Sequence, residues 1–201
     1  MIDTVLFDLG KVLLDWDPRY YYARHFGGNA EALETFVRDI IAPEWIGEMD
    51  AGKPAAQAVA ERQRVHPRHA GLIGLWAEGW PEMLRGEIEG TAAIIRELKG
   101  RGLRLYALTN FSDETFPIAV ARCPTMALFE DIVVSGRIGL IKPDPRIYAH
   151  AIGQCALEPA RTLFIDDSRP NVAAGSAAGL KALHFSSPEK LRGELVALGL
   201  L

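Results

Sequence analysis

The sequence predicts an α/β protein: a doubly wound parallel sheet with a helical insert placed just after the first strand. Two observations carry the sheet. Five short apolar, partly β-branched runs alternate with helical patterns, and their apolarity is continuous rather than alternating, as in strands covered on both faces. A third observation places the insert: between residues 17 and 86 the alternation is replaced by successive helical patterns with no strand run among them.

In chain order, Thr4 to Phe7 reads as the first strand. Asp17 followed by Pro18 is an N-cap and first-turn pair, and helical patterns follow at Arg19 to Phe26 and Glu31 to Ile41. The stretch PEWIGEMDAGK has the Gly and Asp content of a turn. Helical patterns resume at Pro54 to Val65 and Arg68 to Glu78. The helix Thr91 to Lys99, closed by Gly100, leads to a strand at Leu103 to Leu108, and a further strand covers Asp131 to Val134. Helix Pro145 to Cys155, strand Thr162 to Ile165, helix Arg169 to Ala178 closed by Gly179, and strand Lys181 to Phe185 complete the pattern. This rhythm of strand and helix implies βαβ units. The expected organisation is a core of residues 1–16 and 87–201, with 17–86 as the insert. In the insert, YYYARHF, Trp45, Trp76 and Trp80 read as core packing, with a pocket facing Asp8 as the alternative.

At 201 residues the chain is long enough for a sizeable core. Its net charge of −4 is spread through interspersed acids and bases. That leaves no footprint for nucleic acid or an anionic membrane and points to a small-molecule partner. Cys123 and Cys155 belong to no metal-ligand spacing and read as core residues of a reducing compartment. No basic leader and no apolar run of roughly 18 residues occurs, so a cytoplasmic protein is expected.

An open parallel sheet binds ligands beyond the carboxyl ends of its strands. At those ends lie Asp8 after the first strand, Thr109 and Asn110 after the second, and Asp166 and Asp167 after the fourth, with Lys142 in the loop following the third. Adjacent carboxylates beside a third repel strongly in a partly buried crevice, and a divalent cation relieves them. All-oxygen ligation indicates Mg²⁺. A lysine, a hydroxyl and the backbone N–H groups of the turn at Leu9 and Gly10 complete an anion cradle suited to phosphoryl transfer.

These residues also carry a family resemblance. FDLGKVL, LTN, IKPDPRIY and FIDDSRPNVAAGSAAG resemble, in order, the four motifs of the haloacid dehalogenase (HAD) superfamily. The resemblance implies a Rossmann-like core with a helical C1 cap at 17–86. It implies that Asp8 is the nucleophile, forming an aspartyl-phosphate that water hydrolyses. Thr109 then hydrogen-bonds the transferring group with Asn110 close by, and Lys142 offsets charge. Asp167, Asp8 and the Gly10 carbonyl hold Mg²⁺, while Asp166 holds a metal-bound water or pairs with Lys142. The substrate implied is a small phosphorylated metabolite.

One position departs from the pattern. Phosphatases of this superfamily carry DxD in the first motif, the second Asp acting as general acid and base; here Gly10 stands there. Such help is typically worth about 10²–10⁴ in rate, so a slower reaction is expected rather than none. A subset acting on sugar phosphates shows a similar DLG motif and is the nearest resemblance. Two alternatives stay open. Metal-free 2-haloacid dehalogenases also lack the second Asp, although they usually replace the first acid of the fourth motif, which IDDS retains. A catalytically impaired phosphate-binding or interaction module is the other. Asp15 reads as a boundary residue, and Lys11 as a solvated charge or a substrate contact.

Overall fold

The computed structural model describes residues 1–201. Seven strands form: β1 (Thr4–Phe7), β2 (Leu14–Trp16), β3 (Leu84–Glu87), β4 (Arg104–Thr109), β5 (Asp131–Val134), β6 (Thr162–Asp166) and β7 (Lys181–His184). Five of them make one sheet in the order β5-β4-β1-β6-β7, with every neighbour parallel. The central strand β1 has Leu6 level with Tyr106 on one side and Phe164 on the other. All four β1 residues are buried, which is why its sequence is continuously apolar. All five expected strands are present, with ends shifted by a residue or less.

The sequence reading missed β2 and β3. They form a two-stranded antiparallel ribbon where the chain leaves the sheet and returns to it. Three or four residues, half of them polar, are too few to show a strand period. The pairing slips between Asp15 and Trp16, and on the facing strand Gly86 adopts φ +127°, open to glycine alone without strain.

Between the two ribbon strands lie α1 (Arg19–Tyr22), α2 (Ala30–Thr35), α3 (Pro43–Asp50), α4 (Ala55–Val65), α5 (Ala70–Gly74) and α6 (Trp76–Met83). The Asp17 carboxylate accepts from the Arg19 amide at 2.8 Å and so caps the first turn as expected. The stretch read as a turn, PEWIGEMD, is instead α3. Pro43 occupies its first turn, and Trp45 and Met49, one turn apart, are both buried. The reversal comes later, at Gly52 with φ +94°. The single helix expected over Arg68 to Glu78 breaks at Leu75 into α5 and α6. Beyond Thr35 the second helix widens into a π turn over Phe36–Ile40, closed by Ile41 N–H to Phe36 O at 2.9 Å.

The remaining helices are α7 (Glu89–Gly100), α8 (Phe116–Arg122), α9 (Ser135–Ile138), α10 (Pro145–Gln154), α11 (Arg169–Ala177) and α12 (Pro188–Ala197). No helix is long and apolar enough to cross a membrane. Side chains alternate across β1: Val5 and Phe7 join a large apolar cluster, Leu6 a smaller one with Tyr148 and Phe164. The helical segment has no separate core. Its Trp45, Trp76 and Trp80 belong to the larger cluster, and Trp80 meets Phe111 of the loop after β4 with ring centroids 5.6 Å apart. Under β6, Gly175 lets α11 approach so closely that a Cβ there would lie 2.5 Å from the Phe164 ring.

Candidate functional site

The order β4-β1-β6 puts the carboxyl ends of three strands side by side, and each delivers a polar group. The Asp8 amide donates to Ile165 O at 2.8 Å, which carries the sheet one residue past β1. Thr109 ends β4, Asp166 ends β6, and Asp167 follows. Lys142, from the loop between α9 and α10, is buried, and its Nζ donates to Asp8 Oδ1 (2.8 Å), Asp166 Oδ2 (2.7 Å) and Leu108 O (2.8 Å). Those bonds use every donor an ammonium has. Asn110 holds the lysine backbone from both sides: its Oδ1 accepts from Lys142 N at 2.7 Å, and its Nδ2 donates to Lys142 O at 3.0 Å.

Carboxylate oxygens of Asp8, Asp166 and Asp167 lie within 4.8 Å of one another. At such spacing a like-charge pair costs on the order of 4 kcal/mol at an effective dielectric near 20. Burial pushes the Asp8 carboxyl up to about 7; Lys142 pulls it down, and Asp166 and Asp167 push it further up. For Lys142 burial lowers the pKa, but Asp8 and Asp166 outweigh it and the ammonium is held above its ordinary value. Asp167 is raised by burial and by Asp166.

The oxygens differ in what occupies them. Asp166 is fully engaged: Oδ1 accepts from Ser168 N (2.8 Å) and Asn171 Nδ2 (3.0 Å), and Oδ2 accepts from Lys142. Asp8 engages only Oδ1, and the Asp167 carboxylate accepts from no other residue. With one lysine against three carboxylates, the site as built suits an additional divalent cation on Asp8 and Asp167. Two further features suit an anion. The buried Thr109 Oγ1 has no hydrogen-bond partner, and the Leu9 and Gly10 amides donate to no carbonyl.

Gly10 also lines the end of a cavity formed with α3, α4, α6 and the loop after β4. A Cβ on Gly10 would meet nothing within 4 Å. Asp50, from the end of α3, lines the same cavity. Burial raises its carboxyl to about 7; the Ser112 amide hydrogen bond lowers it and Asp8 raises it. In the unfolded chain the group ionises near its ordinary 3.8. The folded state therefore holds a proton that the unfolded state has lost, and stability falls as pH rises from about 4 through 7. Asp50→Asn removes this dependence. Its melting temperature is expected to exceed the parent's by several degrees more at pH 8 than at pH 5, both measured in chelator. An equal difference at the two pH values contradicts the account of a half-buried carboxyl raised by partial desolvation.

The structure thus gathers Asp8, Gly10, Thr109, Asn110, Lys142, Asp166 and Asp167 at one end of the sheet. Asp15 and Lys11 stand at its margin: Asp15 accepts from Tyr20 Oη at 2.6 Å, and Lys11 is exposed with φ +59°. Sequence reasoning missed that Asn171 and the Ser168 amide position Asp166. The Ser-x-x-Asn spacing after the acidic doublet was the available signal. It also missed Asp50, which carried none, since its helix was read as a turn.

The chain matches the haloacid dehalogenase-like hydrolase family over residues 2–179. A curated relative, sesquiterpene phosphatase astK of Aspergillus oryzae, is 29% identical over 192 residues, covering 91% of this chain and 89% of the relative. One relative is much longer, 97% of this chain spanning 36% of it, and another matches over 54% of this chain and 49% of its own length. Among solved structures, HAD family enzyme BT-2542 of Bacteroides thetaiotaomicron, in complex with magnesium and inorganic phosphate, superposes with TM-score 0.68 at 19% identity, over 93% of this chain and 96% of that one. L-2-haloacid dehalogenase from Xanthobacter autotrophicus, with chloropropionic acid covalently bound, gives TM-score 0.67 at 16% identity, over 100% and 85%. With its family matched from the first strand to the close of α11, this chain is a hydrolase belonging to the haloacid dehalogenase-like family.

Proposed function

We propose that this hydrolase is a Mg²⁺-dependent phosphomonoesterase acting on a small phosphorylated metabolite, with residues 17–86 forming a helical cap over a core of 1–16 and 87–201. One observation carries the reading: carboxylate oxygens of Asp8, Asp166 and Asp167 lie within 4.8 Å of one another, with only the first two bonded to Lys142. A site that displaced halide from carbon would gain nothing from the Asp167 carboxylate, which engages no other residue. A site for a cation and a phosphoryl group needs it. The phosphatase name of the curated relative and the magnesium and phosphate of the BT-2542 complex support the same reading.

In this reading Asp8 attacks phosphorus, the ester oxygen departs, and water then cleaves the aspartyl-phosphate. Asp8 and Asp167 hold Mg²⁺ together with the Gly10 carbonyl, and the ion supplies charge stabilisation to the phosphoryl oxygens. Lys142 aims Asp8 and offsets part of the rise that burial imposes on its carboxyl, and Asp166 aims Lys142 in turn. Asn110 fixes the backbone from which that lysine extends. The Thr109 hydroxyl and the Leu9 and Gly10 amides donate to phosphoryl oxygens. Gly10 leaves the departing oxygen without an adjacent acid, so turnover is slow by the standards of enzymes with one. That same glycine favours a second reading, halide displacement from a 2-haloacid by Asp8.

Phosphate release from p-nitrophenyl phosphate decides between them. Activity that needs Mg²⁺ and falls at least roughly tenfold on chelation supports the phosphatase. Chloride release from 2-chloropropionate in chelator, with no phosphate release in Mg²⁺, overturns it.

A further inference from the structure

The cavity that opens beside Gly10 bears on the body of the substrate, and the inference rests on the phosphomonoesterase reading. The cavity encloses about 90 Å³ and is partly open to solvent, so a substrate body would be only partly enclosed. Trp16, Ile46, Met49, Trp76, Trp80 and Phe111 form most of the lining, and no lysine, arginine or histidine takes part. Several polar lining groups are engaged, whereas the buried Trp16 Nε1 has no hydrogen-bond partner. Asn110 spends both ends of its amide on the Lys142 backbone, and the Ser112 Oγ accepts from the Glu114 amide at 3.3 Å. Thr115 Oγ1 donates to Ser112 O at 3.4 Å. The one ionisable group in the wall, Asp50, is an acid.

Such a wall discriminates by chemistry. A second phosphate or a carboxylate on the substrate would meet an acid and no cation. Sugar hydroxyls would leave water for few free partners, chiefly the Trp16 N–H and the Asp50 carboxyl, at a cost of roughly tenfold in affinity for each one unmatched. A hydrocarbon body loses nothing on moving in and gains about fourfold per buried methylene. We propose that the substrate is the monophosphate of an apolar alcohol, its phosphate among Asp8, Thr109 and Lys142 and its hydrocarbon body among the tryptophans. The DLG motif shared with sugar-phosphate phosphatases concerns the phosphate end, whereas this wall concerns the other end.

The test is a kcat/KM series in Mg²⁺ on the unaltered protein, from n-butyl to n-octyl phosphate, beside glucose 6-phosphate and phosphoglycolate. The expected result is a rise of about two- to fourfold per methylene, with octyl phosphate at least roughly 10²-fold above both polar esters. Ile46→Gln, at a half-buried wall position, is expected to flatten the rise through KM while kcat stays within about twofold. Glucose 6-phosphate or phosphoglycolate matching octyl phosphate overturns the proposal and leaves the phosphatase reading standing. A chain-length slope unchanged in Ile46→Gln overturns the placement of the hydrocarbon. Hydrolysis of none of the esters, p-nitrophenyl phosphate included, overturns the phosphatase reading itself.

Discussion

Asp8→Asn is expected to lower phosphate release from p-nitrophenyl phosphate by roughly 10³-fold or more while leaving the protein folded. The two side chains are nearly isosteric, so the variant removes the carboxylate proposed to attack phosphorus without opening a cavity. Lys142 keeps its bonds to Asp166 and Leu108, and one of three crowded acids is gone. Burial already pushes the Asp8 carboxyl up to about 7, so its replacement by a neutral amide relieves part of a cost that the parent bears above that pH. Thermal denaturation in chelator should place the variant within a few degrees of the parent at pH 8. Activity within tenfold of the parent would remove Asp8 from the chemistry. A large loss of both activity and melting temperature would show instead that the side chain is chiefly a structural partner of the lysine.

Lys142→Met should have the opposite balance, losing stability as severely as activity. The substitution leaves Asp8 and Asp166, both buried, without their shared cation. Breaking a buried ion pair by removing one partner costs about 3–5 kcal/mol. For a chain of this length that corresponds to a fall of roughly 6–20 °C in melting temperature. The deficit should shrink toward pH 5, because the orphaned carboxyls take up protons there. Adding Asp166→Asn to the variant should return part of the loss, the two sites being coupled through a 2.7 Å contact. A single variant that melts with the parent at pH 8 would contradict the assignment of Lys142 as the charge that holds the strand ends together.

Much of this was legible because the sheet is buried on both faces. Thr4 to Phe7 and Thr162 to Ile165 could hardly be read otherwise, and in a parallel sheet the residues just beyond such strands meet at one edge. That geometric rule brought Asp8, Thr109 and Asp166 together although more than a hundred residues separate the first from the other two. The lysine was harder to place, since it reaches the site from a loop whose path no periodicity fixes; its position after the third strand and the IKPDPRIY motif together pointed to it. The helical segment was read less well, for a physical reason. Its helices are short, from four to eleven residues, and tertiary contacts override their local preferences. Gly47 and Asp50 suggested a reversal, yet Trp45 and Met49 bury on one face and hold α3 together. The insert's tryptophans do pack in a core, but one shared with the sheet's cluster through Phe111, a contact between distant segments that local sequence does not announce.

The threefold bonding of the Lys142 ammonium to three neighbouring strand ends ties chemistry to folding in a way that matters in the cell. Genetic searches for inactive alleles usually seek proteins that accumulate normally but do nothing. At this position few such alleles can exist, because a chain that loses the amine also populates its open forms more often and is cleared by proteases. Changes at 142 should therefore surface as low abundance, and the tally of inactive but abundant variants should gather at Asp8 and Asp167 instead.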